Sequence, residues 1–245
     1  MAAPSPVERP AFYALAPGGW RDLLTLLHPP FTAWHLSYVA IGAAAAPHLD
    51  AGRLGAALAA FFLGVGVCAH ALDELQGRPL RTRLSDRTLW GLAMVSLGGA
   101  VAIGVVGAVR VSAGLTAFIV VGTFLVAAYN LELVGGRLHS DFWFAAAWGA
   151  FPALTGYWIM ALRLDLQSLS VAAGCFMLSI AQRRLSTPVR QLRRRTVAVT
   201  GEQELDDGAV VALDAARLIA PLDGALRACS AAVVLLALGL VLARL

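Results

Sequence analysis

Between Val67 and Asp86 the chain reads VCAHALDELQGRPLRTRLSD, with His70, Asp73, Glu74 and Gly77 at relative positions 0, 3, 4 and 7. At 3.6 residues per turn these positions share one helix face. Two adjacent carboxyls at the mouth of an apolar helix are costly unless they hold a cation, pair with arginine or reach water. Arg78, Arg81, Arg83 and Arg87 follow at once. Magnesium takes one or two carboxylates together with phosphate oxygens, and guanidinium forks hold the outer oxygens of a phosphate. The stretch therefore reads as a diphosphate site, with Asp73 and Glu74 as metal ligands and His70, Arg78 and Arg81 as phosphate contacts. The plainer alternative is that the two acids pair with Arg78 or Arg81 at the helix end.

Two further constellations lie downstream. In AYNLELVGGRLHSDFWFAAAWGAFPALTGY, Tyr129 and Asn130 end one apolar segment, Gly135-Gly136-Arg137 turns the chain, and Asp141 opens the next. Tyr129, Asn130 and Asp141 are candidates for the acceptor side of a reaction centre and Arg137 for a phosphate contact. Asp141 is equally well explained as an acid at a helix N-terminus. The aromatic residues from Phe142 to Trp158 could line an isoprenoid tail or shield a cation. The run from Gln182 to Arg195 places Arg184 and Arg190 where they could form the second half of a phosphate site. A basic cluster beside a membrane also sets topology or touches anionic lipid. The sequence has no nucleophile–base triad, P-loop or zinc spacing, and its basic residues are accounted for by topology, so no nucleic-acid partner is expected.

The elements that must position these groups follow from composition. Only 14% of the 245 residues are charged and the mean hydropathy is +0.73, against about 25% charged in soluble domains. The expected fold is all-α: a polytopic membrane bundle. Seven apolar segments could cross about 30 Å of hydrocarbon, at about 31–47, 54–74, 88–109, 113–131, 141–162, 166–184 and 226–244. Trp20 to His28 is amphipathic, stops at Pro29-Pro30, and reads as an interfacial helix. The loops after segments two and six are rich in arginine, whereas those after one, three and five carry Arg53, Arg110 and Arg163 alone. The positive-inside rule then places the even loops, the N-terminus and the carboxylate site in the cytoplasm. The organisation expected is an N-terminal interfacial segment (1–30), a transmembrane core (31–184), a polar cytoplasmic insert (185–225) and a last span (226–245). Val210 to Leu222 within the insert reads as another interfacial helix. Cys68, Cys175 and Cys229 sit in apolar runs without CxxC spacing and read as small buried residues.

With these residues in place, the chain resembles the UbiA superfamily of intramembrane prenyltransferases over about residues 22–185. LLTLLHPPFTAWHLSYVAIGAA is similar to the family's opening helix. HALDELQGRPL stands where the family has its first aspartate-rich motif, and YNLELVGG with the Gly/Pro-rich segment after Asp141 resembles its middle region. Asp73 matches the middle acid of that motif, whereas Ala69 and Gly77 occupy the flanking positions and AQRRLSTPVRQLRRR carries no second acidic motif. The resemblance implies a bacterial inner-membrane enzyme that ionises an isoprenyl diphosphate with magnesium and transfers the prenyl group to a lipophilic acceptor. A cyclase of the same superfamily acting on the same diphosphate is the nearest alternative. A non-catalytic protein that binds anionic membrane lipid is the alternative of another class.

Overall fold

The structure, a computed structural model, describes residues 9–245. Among the described residues it comprises eight helices and one small hairpin. Helix α1 is Trp20–Leu26, α2 Pro29–Ala45 and α3 Ala51–Leu75; α4 is Asp86–Arg110 and α5 Leu115–Asn130. Helix α6 covers residues 141–161, α7 is Leu166–Arg194 and α8 Ala215–Leu242. Strands β1 (Glu202–Glu204) and β2 (Val210–Ala212) pair antiparallel between α7 and α8. The chain is mostly helical, and α3, α4 and α8 are long and apolar enough to cross a membrane.

Seven helices run alternately up and down, so the ends of α3, α5 and α7 and the starts of α2, α4, α6 and α8 gather at one pole. Helix α2 lies at the centre, packed on α6 and α8. Glycine permits its close approach to α6. A Cβ built on Gly42 falls 2.0 Å from the Ala153 carbonyl oxygen, and one on Gly156 falls 2.1 Å from that of Val39. Close packing through small residues is how apolar helices gain contact where lipid removes the hydrophobic drive between them.

Two helices carry a turn of π-helix, at Phe62–Ala69 in α3 and Ala146–Ala150 in α6. In α6 the cause is local: Pro152 has no N–H for the carbonyl of Trp148 and its ring crowds that oxygen, and the N–H of Phe151 bonds to Ala146, five residues back. Such turns free carbonyls that a straight helix would consume.

Each of the seven apolar segments coincides with a helix, and the amphipathic stretch after Trp20 forms α1; residues 1–8 of the N-terminal segment lie outside the described residues. The polar insert from 185 to 225 is different from its expectation. Helix α7 continues through Pro188 to Arg194, and Val210–Ala212 is a strand. The residues after Ala215 belong to α8, which runs unbroken through Pro221. Between them only residues 195–214 leave the helical bundle. The basic run stays helical because its opposite face carries Ser186 and Val189, both buried against neighbouring helices. Cys68 and Cys175 are buried and all three thiols are free.

Candidate functional site

At the arginine-rich pole the helix ends enclose a polar cavity of about 140 Å³. Its walls include His28 and His35 from the start of α2, His70 and Asp73 from α3, and Tyr129 and Asn130 from α5. Phe144 and Trp148 of α6, and Gln182, Arg183, Arg190 and Arg194 of α7, complete them, with His139 from the preceding loop. Residues 10–13 lie across the mouth. The carbonyl of Arg9 accepts from Arg193 at 3.1 Å and that of Pro10 from Arg194 at 3.4 Å, while Arg227 stacks 4.8 Å from the Phe12 ring.

The two π turns each hand a carbonyl to an imidazole. Nδ1 of His35 donates to the Trp148 oxygen at 2.8 Å, the oxygen that Pro152 cannot reach. In α3 the His70 backbone N–H bonds to Val67, and its ring Nδ1 donates to Gly66 at 3.0 Å. His139 Nδ1 donates to the Tyr129 carbonyl at 3.2 Å and its ring stacks on that of Tyr129 at 4.5 Å. A carbonyl oxygen only accepts, so in all three rings Nδ1 carries the donated hydrogen, and in the neutral ring Nε2 is the nitrogen with the lone pair. His28 stacks on His70 with ring centres 4.1 Å apart, Tyr13 Oη lies 2.7 Å from its Nδ1, and its Nε2 is buried with no partner among the described residues. His28 also has a left-handed backbone (φ 45°) immediately before Pro29, a strained conformation of the kind that clusters at functional sites. Burial, reinforced by His70 and by Arg194 and Arg190, holds its imidazole well below the usual range. Burial raises the Tyr13 hydroxyl above its own.

Opposite the imidazoles stand three guanidinium groups. Arg183 is oriented by Asp141, whose carboxylate accepts from Nε at 2.8 Å, and sits 5.1 Å over the Phe144 ring. Arg190 lies two turns further along α7 and donates to Thr187 Oγ1 at 3.2 Å. Such crowding of cations is tolerable where an anion joins them. Asp73 faces this group and, among the described residues, has neither a side-chain hydrogen bond nor an ion pair. The nearby pair of Arg193 and Asp223, at 2.5 Å, is buried and joins α7 to α8.

Of the residues singled out from sequence, His70, Asp73, Tyr129, Asn130 and Arg190 converge on the cavity, and Asp141 reaches it through Arg183. Glu74 points the other way. It is fully buried, and its oxygens accept from the backbone N–H of Leu80 (2.9 Å), that of Thr82 (2.9 Å) and the Thr82 hydroxyl (2.8 Å). It shares a helix face with His70 only in projection; the folded loop claims both its oxygens. Arg78 pairs with Asp86 and donates to the Leu84 carbonyl at 2.5 Å, and neither it nor Arg81, Arg137 or Arg184 lines the cavity. His28, His35 and His139 are members that the sequence reading did not select, and Arg183 and Arg194 lie in the basic run read as a second half of a phosphate site, where Arg184 and Arg190 were singled out instead. The seven-residue spacing of His28 and His35, two turns of α2, and a proline inside an apolar helix were the available signals.

A second, apolar crevice of about 600 Å³ lies between α3, α4, α5 and α6. Gly52, Ala56, Ala60 and Gly64 leave room along α3, and the twelve steps from Arg53 to Val65 make the crevice about 18 Å long at helical rise. Val65 and Trp148 line both it and the polar cavity, so these two side chains lie between the two spaces. Among the described residues no group of three or more His, Cys, Asp or Glu is placed to hold a metal ion. Compared with known proteins, the chain matches no family model, no curated protein and no solved structure.

Proposed function

We propose that the chain is a membrane-embedded transferase that ionises an isoprenyl diphosphate with magnesium and passes the prenyl group to a lipophilic acceptor. One observation carries this reading: a small cavity with three arginines facing a free carboxylate shares the side chains of Val65 and Trp148 with an adjoining apolar crevice. That is the shape and charge of an amphiphile with a compact anionic head and a long hydrocarbon tail.

Arg183, Arg190 and Arg194 would hold the diphosphate through charge-assisted hydrogen bonds that strengthen as charge builds on the leaving group. Asp73 is the carboxylate that would hold magnesium, which fits the ion's habit of taking few protein ligands and several phosphate oxygens. When bound, the metal supplies charge neutralisation to the departing diphosphate. Tyr129, Phe144 and Trp148 line the cavity and would be the aromatic side chains available to shield an allylic cation. In this reading all seven long helices cross a bacterial plasma membrane, with the arginine-rich pole and the N-terminus in the cytoplasm.

Detergent-purified protein offered farnesyl or geranylgeranyl diphosphate should release diphosphate with magnesium and not without it, and Asp73→Ala should abolish the release while the protein stays folded. Absence of both release and magnesium-dependent binding with every chain length would overturn the reading. Binding of anionic lipid alone would then favour a non-catalytic role, and the mass of any product separates transfer from cyclisation.

A further inference from the structure

We propose that Nε2 of His35 is the proton acceptor for the second substrate, and that this substrate presents a hydroxyl group. The inference rests on the transferase reading. It comes from where one imidazole is held and how its hydrogen is assigned.

His35 is buried on α2, with Phe144 edge-on at 5.7 Å and Tyr38 at 6.1 Å. Its Nδ1–H is committed to the Trp148 carbonyl at 2.8 Å, which leaves Nε2 as a lone pair with no partner among the described residues. The four histidines of the cavity are not equivalent. His70 is stacked on His28 beneath the strap of residues 10–13, and His139 lies against Tyr129 with Glu132 at 3.9 Å. His35 alone is anchored to Trp148, the residue shared by cavity and crevice. There the bond between head and tail of a bound prenyl diphosphate would lie. A lone-pair acceptor beside the carbon that changes partners is placed for general-base work.

In the transfer step the acceptor oxygen forms a bond to the first prenyl carbon. The bond from that carbon to the diphosphate oxygen breaks, and its electron pair leaves with diphosphate. The proton of the acceptor hydroxyl passes to Nε2.

The test compares two small nucleophiles on the full-length protein with geranylgeranyl diphosphate and magnesium: azide, which has no proton to lose, and phenol, which must lose one. Asparagine at position 35 retains a donor for the Trp148 carbonyl and removes the base. In His35→Asn the ratio of phenyl ether to prenyl azide should fall at least about a hundredfold, the usual contribution of a general base. An unchanged ratio, with both products falling together or neither falling, would overturn the assignment. So would a wild-type protein that makes the azide but never the ether. Wild-type protein that releases no diphosphate with either nucleophile would overturn the transferase reading itself, and this inference with it. Should His35→Asn fail to fold, carbethoxylation of wild-type His35 by diethyl pyrocarbonate, mapped by mass spectrometry, provides a second reading. Geranylgeranyl diphosphate should block that modification, and modification at an undiminished rate would exclude His35 from the reaction centre.

Discussion

Asp73 and Glu74 are neighbours in sequence with opposite fates, and the difference lies in which hydrogen-bond donors the fold brings to each. Glu74 holds the loop after α3 by three hydrogen bonds to its carboxylate. Glu74→Gln replaces one accepting oxygen with an NH2 group that faces other donors, and should lower stability by roughly 2–4 kcal/mol in thermal unfolding. Asp73 lines the cavity, so Asp73→Asn should leave the unfolding transition near its wild-type position and remove magnesium-dependent diphosphate binding. Arg190→Gln should weaken binding of inorganic diphosphate by about 10- to 100-fold, as loss of a charged hydrogen bond does. The five histidines were each visible in the chain, but their grouping was not, because His28, His35, His70 and His139 come from three separate stretches.

At the scale of elements, the devices that matter are the π turns and the glycine contacts of α2 with α6. Pro152→Ala would return an N–H to the Trp148 carbonyl and draw α6 toward a regular helix. We expect such a variant to unfold at the same or a higher temperature while the ratio of phenyl ether to prenyl azide falls, because His35 loses the acceptor that orients it. Gly42→Ala places a methyl 2.0 Å from a backbone oxygen. Overpacking of that kind costs about 1–3 kcal/mol, and the measurement is the unfolding midpoint in detergent. Helix positions were legible because apolar residues continued for the length of each segment. The ends of α7 and α8 were not. A hydropathy window stops where arginines begin, yet a helix with one buried face continues through them, and α8 likewise runs on through Pro221.

At the scale of the molecule, an up-and-down bundle sends alternate helix ends to one pole, and the arginine-rich connections share the pole that holds the cavity. Single cysteines placed at Arg137 and Arg195 in a protein whose native thiols have been replaced should react with an impermeant maleimide only from the cytoplasmic side. Cysteines at Arg110 and Arg163 should react only from the other side. Labelling of all four from one side would refute the seven-span arrangement. The sequence by itself determined the apolar segments, the acidic face at the end of α3 and the concentration of arginine in particular loops, because these are properties of neighbours along the chain. Which acid faces a cavity, which arginines share it and which nitrogen of each imidazole keeps a lone pair were decided only by tertiary structure. Each depends on a partner outside the helix that carries the residue: a loop N–H for Glu74, Asp141 for Arg183, and for His35 a carbonyl left open by a proline more than a hundred residues downstream.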